Sequence, residues 1–466
     1  MAVFGIYQKL SFFYIYHGDQ NNPLYQVTLL PSDDVTMPAS NALENFVQLN
    51  DGNGPLGRYY QYAYQLIGRA NVVLDKIETN GDAIYKEFPE QKNWHKGEAL
   101  FLRAYMHINL WNVFGTAPKV SEIVLIDNAY LPNTKGTELL DQAILDLEEA
   151  AKLLPASWEA KFKGRVTKNS ALGLRGKALV FRGTVNKTQA DFTAAIADFN
   201  AISGLSLTAK YGENFESPTG NNKESLFEYQ AGNNSADNNP WLNNDEFAVI
   251  GDISYWLGMF NGQPDWIGGM HCSATPQIRN AYENGDPRLA YNINLEAFDG
   301  GNTINIMKYL RNAKQEGWTA WWMGVFSNSP RILRYADVLL LKAEAIVRSG
   351  GSLSEAIGMI NQIRERARNS AGDTPSEVPA NRNVSETDRN TVLEWVFQER
   401  RLELAFEEGH RWWDLRRRHI AGEIDLKKYN FGSLNGNFNF KDHNVYFPLP
   451  GREVIDNPNM EQNPGY

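Results

Sequence analysis

Three carboxylates make up the densest candidate chemistry in this chain. Glu399, Glu403 and Glu407 recur at four-residue intervals within LEWVFQERRLELAFEEGHRWWDLRRR, residues 393–418. On a helix they share one face, and a pair such as Glu403 and Glu407 could hydrolyse a glycosidic bond, which needs two carboxyls roughly 5 to 10 Å apart. That chemistry also needs one carboxyl with a raised pKa, whereas the neighbouring Arg400, Arg401 and Arg411 would depress both. Like charges at this spacing destabilise an isolated helix, and buried charges survive folding when they are paired and hydrogen-bonded. The stripe is therefore read as the face of a semi-buried helix in an ion-pair network, structural rather than catalytic. Arg334, Arg364 and Arg366 are its candidate cationic partners. Gly409 offers a C-terminal stop, after which His410, Arg411, Trp412, Trp413 and Asp414 begin a second amphipathic piece.

The second constellation is aromatic. Half of the twelve tryptophans, Trp241, Trp256, Trp266, Trp318, Trp321 and Trp322, fall between positions 241 and 322, and seven asparagines lie between Gly232 and Asn261. No helical or strand periodicity hides these rings, and tryptophan in irregular, Asn- and Gly-rich chain tends to form a half-exposed platform. A pyranose offers an apolar C–H face to an indole and a ring edge of hydroxyls to planar amides and carboxylates. Both residue types are concentrated here. The expected ligand surface is the six tryptophans with Asn243, Asn244, Gln263 and Asp265 at the ring edge, and with Asp51 and Tyr59 approaching from an N-terminal loop.

Other chemical signals are thin. The seven histidines include no pair at metal-binding spacing such as HExxH, and no GxSxG elbow occurs; no metal or cofactor is expected. Gly52, Gly54 and Gly57 match GxGxxG, but the polar Asn45 to Asn50 before them cannot supply the buried strand that a nucleotide site requires, and Pro55 sits inside the turn. The single cysteine, Cys272, rules out an internal disulfide and is read as inert. A net charge of −10 disfavours nucleic acid and anionic lipid as partners. No apolar run reaches the roughly 18 residues a membrane helix needs, and Phe12 to Tyr16 is too short for the apolar region of a signal peptide.

The elements that must position these groups are mostly helical. Apolar residues fall at helical spacing from Tyr59 to Ile77, Asn93 to Phe114, Thr134 to Leu154, Thr167 to Val185, Gln189 to Ile202, Pro330 to Arg348 and Ser354 to Arg368. Small residues such as Ala104, Gly173 and Ala178 at packing faces suggest stacked helical hairpins. Residues 17–57 read as a long irregular excursion, and the Pro- and Asn-rich residues 446–466 as a tail packed along the surface.

The run QERRLELAFEEGHRWWDLRR resembles the C-terminal signature of the SusD/RagB family, surface glycan-binding lipoproteins of Gram-negative nutrient uptake. GEALFLRAYMHINLWNVFGTAP, RVTKNSALGLRGKALVF, TPQIRNAYENGDPRL, the Asn361-x-x-Arg364 pair and YFPLPGREVIDNPNMEQNPGY look like further family blocks, and they occur in family order; Ile6 to Leu10 matches an early helix. The resemblance implies a mainly α, SusD-like fold in one domain over 1–466. Its tetratricopeptide-like scaffold would occupy about 58–205 and 330–420, a loop-rich ligand region about 211–330, and an extended tail about 425–466. Glu399, Arg400, Arg401, Glu403, Glu407, His410, Arg411, Trp413, Asp414 and Arg416 would be its structural signature. The resemblance further implies a non-enzymatic outer-membrane lipoprotein that binds a glycan and passes it to a SusC-like TonB-dependent transporter. It touches the membrane only through an N-terminal lipid anchor. The family's lipoprotein signal and lipidated cysteine are not present, and the expectation is that the signal peptide has been removed. The alternatives are a glycoside-active enzyme and a peptide-binding helical-repeat adaptor.

Overall fold

A computed structural model of the chain describes residues 3–14, 23–37, 41–216, 220–230, 272–294, 304–309, 328–432 and 438–466. Among these the fold is mainly α-helical. The long helices pair with their sequence neighbours. Gly54–Ile84 packs on Pro89–Phe114, that on Glu138–Leu153, that on Lys168–Asn186, and that on Gln189–Ala201. The series continues through Tyr335–Arg348, which packs on Gln189–Ala201 and also on Leu353–Arg368 and Arg389–Glu403. His410–Ile420 closes back onto Lys168–Asn186.

Local chemistry starts these helices. The Asn53 side chain accepts from the Leu56 amide at 3.2 Å, so the GxGxxG run is a helix cap with Pro55 in the first turn. Thr167 and Ser170 cap each other's backbone amides, and Asp388 accepts from the amides of Asn390 and Thr391. The small residues seen in the sequence permit close packing: a Cβ on Gly173 would lie 2.6 Å from Leu226, and one on Gly176 2.3 Å from Phe199. Ala104 and Ala178 are fully buried.

Three expectations are corrected. Residues 17–57 are not all irregular, because they contain the helices Pro23–Thr28 and Ala42–Asn45 and the strand Val35–Thr36. This strand pairs antiparallel with Ser273–Ala274, which pairs antiparallel with Ile304–Asn305. The helix expected from Pro330 begins only at Tyr335. Arg331–Arg334 is instead a strand, antiparallel to Ser225–Glu228, because that pairing sets Arg331 and Arg334 against Glu228 and Glu224. The C-terminal residues do not simply lie on the surface. Phe447 and Leu449 are buried, Gly451–Asp456 is a helix, and the Asn463 side chain donates to the carbonyls of Phe114 and Phe447 at 2.8 and 2.7 Å. No helix among the described residues is long and apolar enough to cross a membrane.

Candidate functional site

The acidic stripe lies at the centre of a buried charge network. Glu399 and Glu403 are one turn apart on the Arg389–Glu403 helix, and both are fully buried. The helix ends at Glu403, short of the expected stop. Phe406, Glu408 and Gly409 then adopt positive φ (64°, 44° and 76°), and this turn, rather than helical spacing, presents Glu407. Gly409 starts the next helix instead of ending this one, and a Cβ there would meet the Thr28 carbonyl at 2.9 Å.

Four arginines and a lysine answer the stripe. Arg288 and Arg364 hold Glu399 at 2.6 and 2.9 Å. Arg334 holds Glu403 at 2.7 Å and Glu407 at 2.8 Å, Arg366 pairs with Glu403, and Lys308 pairs with Glu407. Glu224 joins Arg334 and Arg366 at 2.7 and 3.1 Å. Burial alone would raise the Glu403 pKa, but Arg366, Arg334 and Arg288 outweigh it and hold the carboxyl below its ordinary value. Glu224 is likewise held down at about 2, with Arg366 and Arg334 overcoming its burial.

The arginines beside the stripe point elsewhere. Arg400 binds Asp337 and Asp414 at 2.6 and 2.7 Å, and Arg417 joins Asp414 to Glu344. Lys177 donates to Asp337 at 2.9 Å and lies 3.0 Å from His410 Nδ1. Burial, then Lys177, keeps the His410 pKa well below the usual histidine range. Arg401 reaches Asp33 and Asp34, while Arg411 clasps Asp33 with two nitrogens at 2.7 and 2.9 Å. The Trp413 indole donates to the Glu408 carbonyl at 3.1 Å. Arg416 donates to the carbonyls of Val445 and Trp111 at 2.5 and 2.9 Å, and burial pulls its pKa down to about 10.

These groups cannot act on a substrate, because a carboxylate with no solvent exposure and several guanidinium partners is neither reachable nor a general acid. What they do is fix a base. Tyr229, at the start of one excursion, donates its amide to the Pro330 carbonyl at 3.1 Å and stacks on Tyr14 with ring centroids 4.7 Å apart. The Asn328 side chain donates to the Tyr309 carbonyl at 2.9 Å, and Ala274 pairs with Ile304. The residues flanking 231–271, 295–303 and 310–327 are therefore joined to one another, next in the chain to Lys308 and Arg331.

Trp241, Trp256, Trp266, Trp318, Trp321, Trp322, Asn243, Asn244, Gln263 and Asp265 all fall in those segments and lie outside the described residues. Asp51 is exposed and backs onto the C-terminal segment, its carbonyl accepting from the Gly451 amide at 3.0 Å. Tyr59 was expected to approach the ligand, and its placement corrects this. It falls in register with Leu56, Ala63 and Leu66 on the inward face of the Gly54–Ile84 helix, with no solvent exposure, and its ring meets Phe13 edge-on at 5.1 Å. Cys272 is buried, and burial pushes its thiol pKa up, consistent with an inert residue.

A family profile described as the SusD family matches residues 182–466, and one described as starch-binding associating with outer membrane matches 32–180. The chain belongs to the SusD family. Among SusD-family relatives, SusD-like protein P38 of Formosa agariphila is 29% identical over 86% of this chain and 78% of that protein. The SusD-like fold recurs in a SusD superfamily protein from Parabacteroides distasonis, with a TM-score of 0.76 and 20% identity over 100% of this chain and 98% of that one. It recurs again in a laminarin binding SusD-like protein, with a TM-score of 0.75 and 23% identity over 100% and 98% of the two chains.

In this SusD-family chain, sequence reasoning found Arg334, Arg364 and Arg366 but missed Arg288 and Lys308 as stripe partners. Asp286 caps the Pro287–Asn292 helix, accepting from the Arg288 amide at 3.0 Å, and the Arg288 guanidinium also bridges Asp286 to Glu399 and Glu403. The sequence signal was weak, because Glu283 and Asp286 are both local acids for Arg288, and only the structure shows Glu283 taken by Arg364.

Proposed function

We propose that this chain captures a glycan at the cell surface and delivers it to a SusC-like TonB-dependent outer-membrane transporter, as one SusD-like unit over 1–466 held by an N-terminal lipid anchor. The observation that carries the reading is the concentration of tryptophan and asparagine in segments whose flanking residues share one charge-paired base. Such a base limits the ordering cost of an aromatic platform on ligand binding. Two comparisons support it: the match to a family described as starch-binding associating with outer membrane, and a fold shared over the whole chain with a laminarin binding protein. On this reading Trp241, Trp256, Trp266, Trp318, Trp321 and Trp322 stack on sugar faces, while Asn243, Asn244, Gln263, Asp265 and Asp51 address hydroxyls.

Binding is favoured over hydrolysis because the Glu399, Glu403 and Glu407 stripe, the candidate pair chemistry in the sequence, is locked among arginines. A glycan array followed by calorimetry tests capture, and a reducing-sugar assay on every bound polysaccharide tests turnover. Binding without released reducing ends is expected; steady release would replace this reading with an enzymatic one. Co-purification under mild detergent should bring down a large β-barrel protein, and repeated recovery of this chain alone would remove the transporter from the proposal.

A further inference from the structure

A cleft of about 460 Å³ opens far along the chain from the tryptophan-bearing excursions, between the Gly54–Ile84 helix, the loop 118–131 and the C-terminal residues 453–460. Its size falls within the ~300 to 1,000 Å³ typical of small-ligand sites. We propose that it is a second saccharide site, selective for neutral pyranosides.

The walls are built rather than incidental. The Tyr64 hydroxyl donates to the Pro118 carbonyl at 2.6 Å, the Asn71 side chain to the Glu122 carbonyl at 2.8 Å, and the Arg103 guanidinium to the Ser121 carbonyl at 2.6 Å. On the far wall the side chains of Asn457 and Asn459 donate to the carbonyls of Leu131 and Tyr130 at 2.8 and 2.7 Å. Both ends of the 118–131 loop are thereby fixed by side chains from other segments, so little order remains to be imposed on binding.

The lining chemistry selects the ligand. Tyr130 is 56% exposed, and its ring stands at the mouth with its backbone pinned, as a stacking face for a sugar requires. Gln61 and Gln65, one helical turn apart, present exposed amides to the same cleft, and Glu453 and Asp456 add exposed carboxylates. Amides and carboxylates offer both donors and acceptors to hydroxyls. No lysine, arginine or histidine lines the cleft, and although Asp456 is paired with Arg452 at 3.3 Å beside it, the lining charge is carboxylate, so sulfated or uronic sugars are disfavoured. The exposed Val124 and the pinned Leu131 extend the apolar side, matching the C–H face of a pyranose rather than a uniformly polar solute.

The test uses the full chain, with maltohexaose, laminarihexaose and cellohexaose at millimolar concentration as probes and a polyuronate oligomer as the charged control. Hydrogen exchange is followed on peptides covering 118–131 and 453–460, with calorimetry on the parent, Tyr130→Ala and Gln65→Ala. At least one neutral probe is expected to protect both segments, and Tyr130→Ala should weaken that event about tenfold or more, as loss of a single aromatic anchor does. The charged oligomer should leave both segments unprotected. Because Tyr130 and Gln65 are exposed, their variants should melt with the parent. If no neutral probe protects these segments, or if Tyr130→Ala binds like the parent, the site is refuted whether or not the tryptophan excursions bind. Protection by the charged oligomer alone would equally overturn it.

Discussion

Arg334 is joined to Glu403 at 2.7 Å although the two residues lie 69 positions apart, and the same guanidinium donates to the Glu403 carbonyl at 2.8 Å. One side chain thus binds both the carboxylate and the terminal carbonyl of the Arg389–Glu403 helix. It ties the end of that helix to the strand from which Tyr335–Arg348 departs.

Removing either partner leaves an uncompensated buried charge. Arg334→Ala, Glu403→Ala and Arg400→Ala are each expected to cost roughly 3 to 5 kcal/mol, as breaking a buried pair does. Arg452→Ala, which breaks the exposed Arg452–Asp456 pair, should change stability by no more than about 0.5 kcal/mol. Chemical denaturation of the four variants decides the point. If the buried variants unfold with the parent, the network contributes nothing to holding the base.

Glu408 introduces a pH dependence of the opposite sign from the paired acids. Burial pushes its pKa from 4.5 up to about 8, despite the Tyr14 hydroxyl sharing its one hydrogen between the two carboxyl oxygens, at 3.1 and 3.0 Å. The folded chain therefore keeps a proton that the unfolded chain releases. This contribution to stability is full below pH 4.5 and is lost as pH rises to about 8. Denaturant midpoints across that range should fall less steeply for Glu408→Gln than for the parent. Parallel profiles would show that the carboxyl is already ionised in the fold.

Glu224 acts at the acid end. With its folded pKa held at about 2 against an ordinary 4.5, its stabilisation is present above pH 4.5 and is lost as pH falls toward 2. Glu224→Gln should unfold more readily than the parent at neutral pH and converge with it in acid, as read by circular dichroism. A constant gap at all pH values would assign the effect to packing.

Gly176→Ala places a methyl 2.3 Å from the Phe199 ring, between the Lys168–Asn186 and Gln189–Ala201 helices. An overpacking loss of about 1 to 3 kcal/mol is expected. Gly358→Ala, which meets nothing within 4 Å, should be neutral or slightly stabilising by comparison. Equal melting temperatures for the two would mean that the hairpin has room to relax.

Among the six excursion tryptophans, two or three should each cost about 2 kcal/mol or more in glycan affinity when changed to alanine, with the rest nearly neutral. The adjacent Trp321 and Trp322 should divide, one affecting binding and the other folding, since neighbours in extended chain point to different sides. Calorimetry with circular dichroism controls measures both. If every well-folded variant binds like the parent, the rings do not form the platform.

Helix positions were legible because a helix records its buried face locally, at three- and four-residue spacing. Gly54–Ile84 and Pro89–Phe114 were found this way, although both run further than their apolar stripes. Arg331–Arg334 was misread as helix because its identity as a strand depends on Ser225–Glu228, over a hundred residues earlier, and nothing in four residues encodes a remote partner.

By itself the sequence required that Glu399, Glu403 and Glu407 meet cations, since like charges on one buried face cannot stand unpaired, and it concentrated stacking rings and amides between 241 and 322. Only the tertiary structure decided which cations. Arg400, Arg401 and Arg411, nearest in sequence, turn away to Asp337, Asp414, Asp33 and Asp34, while Arg288, Lys308, Arg334, Arg364 and Arg366 arrive from four other segments. Tyr59 turns inward for the same reason that Glu403 chooses Arg334 over its neighbour. Burial and pairing are settled by what lies across the interface, and chain spacing constrains only which face a residue offers.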